Sequence, residues 1–127
     1  MISRIRNDRA AFTLVEIMIV VALIGLLAAL AVPGFIRVRK LSQGRRIIND
    51  ARQQDAAIDQ WSLETGQTDG ATVNTVAAQI YLKSTWMSQD LLGGSYDYSG
   101  KVGTQQVQIS GTTKTALSGV GIDWGAY

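Results

Sequence analysis

The sequence predicts an α+β chain in which one long N-terminal α-helix, membrane-spanning in its first half, packs on a small antiparallel sheet of two to three strands. Three observations predict it. An almost unbroken apolar run fills residues 10–36, with only Thr13 and Glu16 clearly polar. Beyond it, Ile47, Ala51, Gln54, Ile58 and Trp61 recur at spacings of four and three, the stripe of an amphipathic helix. The C-terminal half is broken by glycines into short segments of strand-like alternation.

With 127 residues the chain has room for one small domain besides the apolar run. It contains no cysteine and no histidine. Disulfides, thiol nucleophiles, Cys/His zinc sites and a Ser-His-Asp triad are thereby excluded, and no enzyme activity or cofactor is expected. The formal charge of +2 arises at the N-terminus, where Arg4, Arg6 and Arg9 face Asp8. From residue 12 onward nine basic side chains balance nine acidic ones, so no nucleic-acid-seeking surface is indicated.

As a helix, residues 10–36 exceed the roughly 30 Å of a bilayer's hydrocarbon core. A cleaved secretory signal would place its small-residue site after the apolar core, whereas Ala10-Ala11 precedes it. A plain membrane anchor explains the length of the run but not Glu16. A carboxylate costs about 3 kcal/mol at the bilayer centre and less towards the interface, so this one requires a partner.

A basic leader, a small residue and then Ala11-Phe12-Thr13-Leu14-Val15-Glu16 heading an apolar helix resemble the type IV pilin and pseudopilin family. The resemblance covers residues 4–36 closely and includes the prepilin cleavage and N-methylation signal. It implies a leader of residues 1–11, a transmembrane and polymerisation helix of residues 12–36, and a globular head of residues 37–127. The cut would fall between Ala11 and Phe12 on the cytoplasmic side, with alanine standing where the family usually has glycine. Phe12 would become the methylated terminus, and Glu16 would meet the terminal amine of a neighbouring subunit during assembly.

The implied product is a structural subunit of a pilus-like filament, held in the inner membrane until it polymerises with copies of itself. Its implied partners are a prepilin peptidase, an assembly ATPase and a platform protein. A type II secretion pseudopilin or a minor priming pilin is the alternative, and an unrelated single-span anchor the remote one. An adhesive or DNA-uptake pilin would need more cations on the head than Lys83, Lys101 and Lys114.

Five cations, Arg37, Arg39, Lys40, Arg45 and Arg46, follow the span, and a positive-inside count alone would place that side in the cytoplasm. The cleavage motif places the leader there instead. Pro33-Gly34 should kink the helix, since proline leaves the carbonyl of Ala29 without its donor. By the resemblance, Gly25–Pro33 is a segment that loses helicity in the filament. The acidic run of Asp50, Asp55, Asp59 and Glu64 is expected to pair with the basic collar of a staggered neighbour.

The helix should stop at Thr65-Gly66, and residues 67–75 read as a loop. Val76–Lys83 reads as two helical turns capped by Thr75. Residues 95–99 and 105–110 flank a turn at Gly100–Gly103 as a hairpin, and a third strand is expected within Lys114–Ile122. Gly119, Gly121 and Gly125 miss nucleotide-loop spacing and read as turn glycines. Asp90, Asp97 and Asp123 are weak calcium candidates against ordinary loop aspartates. The tryptophans and tyrosines of the C-terminal half read as core.

Overall fold

A computed structural model describes residues 11–127. The leader, including Arg4, Arg6 and Arg9, lies outside the described residues. The chain divides into two units, the first ending at Ile36 and the second comprising Arg37–Tyr127.

Helix α1, Leu14–Thr65, continues through both. In the first unit it is the only described element and has no protein cover: Leu14 through Ile36 are exposed at every position. Large side chains such as Leu14, Leu27 and Leu30 keep most of their surface open. This helix is long and apolar enough to cross a membrane. The helix runs uninterrupted through Gly25, Pro33 and Gly34, because proline deletes one ladder bond while its neighbours keep theirs.

The second unit is built on the rest of α1. The expected stripe is its spine, since Ile47, Ala51, Gln54, Ile58 and Trp61 are all buried. They meet Ala78, Tyr96, Val102, Val107, Ile109 and Leu117 in one core. Fully burying an isoleucine such as Ile47 or Ile58 contributes about 1.5–3 kcal/mol. Gln54 lies in the stripe without cost because its amide donates to the Met87 carbonyl at 3.0 Å and its Oε1 accepts from the Tyr98 hydroxyl. Trp86, Tyr98, Trp124 and Tyr127 pack against the same core.

The helix ends where expected, Gly66 taking a φ of 67° that a side chain would resist. Helix α2 covers only Thr75–Ala78 and tightens into a 3₁₀ turn at Gln79–Tyr81. Its cap is Asn74, not Thr75: the Asn74 Oδ1 accepts the Ala77 N–H at 3.1 Å.

The sheet has two strands, β1 (Tyr96–Asp97) and β2 (Gln108–Ile109), antiparallel with Tyr96 opposite Ile109. Residues 98–107 form a wide loop in place of the tight hairpin expected around Gly100–Gly103. The 70–72 segment draws that loop away: Lys101 bridges to Thr72, and Val102, itself buried, exchanges backbone bonds with Gly70 and Ala71. The third strand expected after Lys114 is not formed. Helix α3, Gly111–Ala116, takes the first three residues of that stretch and turns follow it; the helix is capped by the Ser110 hydroxyl accepting from the Thr112 N–H, and it buries Thr113.

Gly100 is the tightest point of this loop, because a Cβ there would stand 1.7 Å from the Gln105 carbonyl oxygen. Gly100→Ala must therefore displace backbone, at a cost of about 1–3 kcal/mol. We expect a lowered Tm for the C-terminal unit of the full chain in detergent, followed by near-UV circular dichroism. Gly25→Ala, whose Cβ meets nothing within 4 Å, should leave that Tm unchanged.

Candidate functional site

The start of α1 answers part of the question raised by Glu16. The Thr13 N–H donates to Glu16 Oε2 at 2.9 Å, and the Glu16 N–H donates to the Thr13 hydroxyl oxygen at 3.2 Å. This reciprocal pair is a capping box, which satisfies two backbone donors that a helix start leaves open. The carboxylate also sits in the first turn, where the helix dipole favours negative charge. Within its own chain Glu16 thus has a structural role as the partner of Thr13, which caps the helix and was not singled out from the sequence. The Thr-x-x-Glu spacing of a capping box was its visible signal.

The groups expected to act in processing and assembly are accessible. Ala11 and Phe12 are exposed, Phe12 at 81%. Glu16 is likewise exposed, one turn from Phe12. Gly25 and Gly34 have open space where a Cβ would stand, so packing within this chain does not explain either glycine.

Three of the four carboxylates in the acidic run of α1, Asp55, Asp59 and Glu64, have partners within their own unit. The Asp55 Oδ2 accepts from the Tyr127 hydroxyl at 3.2 Å, and the Asp59 Oδ1 accepts from the Gln106 amide at 2.6 Å. Glu64 accepts from the Gln60 amide and the Tyr81 hydroxyl. These carboxylates tie the loops and the C-terminus of the second unit to the helix. Asp55 is pushed above the usual carboxylate range, first by burial and then by repulsion from Asp59, with the Tyr127 bond opposing. Burial similarly raises Asp50, partly offset by Arg46.

The calcium candidates are not brought together. Asp90 accepts from the Leu92 and Gly94 N–H groups and from the Thr113 hydroxyl. Asp97 accepts from the Ser99 N–H and Asp123 from the Gly125 N–H, each closing its own turn. Among the described residues no group of three or more His, Cys, Asp or Glu side chains could hold a metal ion. Gly119, Gly121 and Gly125 all take positive φ, as turn glycines do.

Residues 6–32 match the family described as the prokaryotic N-terminal methylation motif. The chain is 34% identical over 90 residues to the type IV major fimbrial protein FimA of Dichelobacter nodosus, covering 71% of this chain and 49% of that protein. It is 30% identical over 122 residues to fimbrial protein Q of Moraxella bovis, covering 89% of this chain and 76% of that protein. With the type II secretion system core protein G of Klebsiella michiganensis it shares 29% identity over 62 residues, 49% of this chain and 44% of that one. The match thus spans about half the length of FimA and three quarters of protein Q. No solved structure matches the chain at the same stringency.

The Asp55–Asp59 repulsion has a sign that can be checked. A carboxylate whose folded pKa is raised favours the fold below its unfolded value and loses that contribution as pH rises through the folded one. Asp55→Asn keeps an acceptor for Tyr127 and removes the charge. We expect it to raise the Tm of the second unit at pH 7, and the advantage over the parent chain to shrink as pH falls towards 4.

Proposed function

The chain belongs to the type IV pilin and pseudopilin family, and from that premise we propose that it is a structural subunit of a pilus-like filament. The observation that carries the proposal is the apolar half of α1, which runs from Leu14, just after the expected cleavage point, to Ile36 without cover from the described residues and holds one carboxylate, Glu16. An uncovered surface of that kind needs lipid on one occasion and neighbouring helices on another.

In this reading a prepilin peptidase removes residues 1–11 on the cytoplasmic side, and Phe12 becomes a methylated cationic terminus. The subunit waits as a single-pass inner-membrane protein and then enters a filament of its own copies, driven by an assembly ATPase and a platform protein. Glu16 pairs with the Phe12 amine of a neighbouring subunit. Opposite charges attract strongly in a low-dielectric bundle, and each alone would be costly there. In the filament Gly25–Pro33 gives up helicity. Gly25 is a weak helix former, Pro33 lacks a donor, and neither Gly25 nor Gly34 is needed for packing within the chain. The likeness to core protein G supports a second reading, a secretion pseudopilin, through the same processing and assembly chemistry.

Co-expression with a prepilin peptidase, followed by intact-mass measurement, tests the route. Loss of residues 1–11 with one added methyl is expected, and retention of the whole leader in the presence of active peptidase would overturn it. Glu16→Leu should still be cut after Ala11 but should reduce filaments, counted by electron microscopy, by at least about tenfold, which needs only about 1.4 kcal/mol of the larger cost of leaving a buried charge unpaired. Filament numbers unchanged in Glu16→Leu would remove the assembly role.

A further inference from the structure

The collar of cations just beyond the apolar run has no assigned role. Arg37, Arg39, Arg45 and Arg46 are exposed and Lys40 half-buried. At about 100° per residue they fall at roughly 0°, 200°, 300°, 80° and 180° around α1, so the charge rings the helix instead of marking one face. No acidic residue occurs between Glu16 and Asp50. At 1.5 Å per residue the ring occupies about the first 15 Å beyond Ile36, and Asp50 stands about 20 Å beyond it.

We propose that this ring binds the phosphodiester headgroups of anionic phospholipids in the leaflet at which the span ends, an inference that rests on the membrane-spanning reading of α1. The headgroup layer on each side of a bilayer is about 5–8 Å thick and begins where the apolar run stops, which places Arg37, Arg39 and Lys40 within it. Side chains on a helix tilt towards its N-terminus, so Arg45 and Arg46 lean back towards the outer edge of that layer.

A second copy of the chain is the competing occupant, and the acidic run of α1 fits that role poorly. Asp55, Asp59 and Glu64 already accept hydrogen bonds from Tyr127, Gln106, Gln60 and Tyr81 of their own unit. Asp50 already feels Arg46 of its own chain. A bilayer supplies phosphates at the right depth without taking these carboxylates from their partners.

Native mass spectrometry of the full chain, released from detergent with phosphatidylglycerol or phosphatidylcholine of identical acyl chains, tests the proposal. Phosphatidylglycerol should be retained at least about tenfold better, since a few charges near a headgroup layer act together, and added salt should erode the preference. The preference should vanish in R37Q/R39Q/K40Q/R45Q/R46Q with helicity unchanged by circular dichroism, and should persist in R4Q/R6Q/R9Q. If the fivefold variant loses its fold, R37Q/R39Q, at two exposed positions, should still halve the preference or more. Equal retention of the two lipids, a preference that follows the leader, or chain dimers that exclude lipid would each overturn it. An unprocessed chain that makes no filament still reports on lipid, so failure of this inference and failure of the filament reading are distinguishable.

Discussion

The first half of α1 leaves its apolar side chains bare, and that is the constraint from which the rest follows. Leucine, isoleucine and valine from Leu14 to Ile36 find no cover within the chain, and each such side chain is worth about 1.5–3 kcal/mol when taken out of water. The surface must therefore always be against lipid or against other helices. A subunit that exchanges one cover for the other needs little net hydrophobic gain from the exchange, because lipid tails and aliphatic side chains are equally apolar. What directs the exchange must then be polar, and Glu16 is the one ionisable group on the surface concerned.

In the proposed assembly Glu16 has two successive partners of different kinds. Within a single chain the carboxylate is held against the Thr13 N–H, so it starts the helix and enters the interfacial region already hydrogen-bonded. That bond occupies one oxygen, and among the described residues the other has no hydrogen-bond donor. A terminal amine at Phe12 would lie about one turn from the carboxylate of its own chain. In this account Thr13 sets the orientation of the carboxylate and the neighbour supplies the charge. In the second unit Asp55 and Asp59 hold Tyr127 and Gln106 onto α1.

The long helix and its buried stripe were legible because a period of 3.6 sustained over many residues has few rivals. Short elements were not. Asn74 and Thr75 are both good caps, and only the Asn74 bond to the Ala77 N–H tells them apart. Residues 111–116 carry three threonines, which suit a strand, yet Thr113 and Leu117 are buried four apart as a helix requires. The hairpin register followed from a long-range pull, Val102 towards Gly70 and Ala71, that no local pattern records. At the candidate site Ala11, Phe12 and Glu16 were visible in a motif, whereas Thr13 was hidden by it. The partners that Asp59 and Asp55 find within their own unit were not legible because they lie 47 and 72 residues away.

The most direct test of the central claim is the distance between Phe12 of one subunit and Glu16 of another. Filaments grown from a mixture of subunits, half labelled with ¹⁵N at the Phe12 amine and half with ¹³C at the Glu16 carboxyl carbon, would show a ¹⁵N–¹³C dipolar coupling by solid-state NMR only if the two groups meet across a subunit boundary. The account predicts that coupling. Intact filaments that lack it, with Glu16 bonded only to the Thr13 of its own chain, would contradict the account.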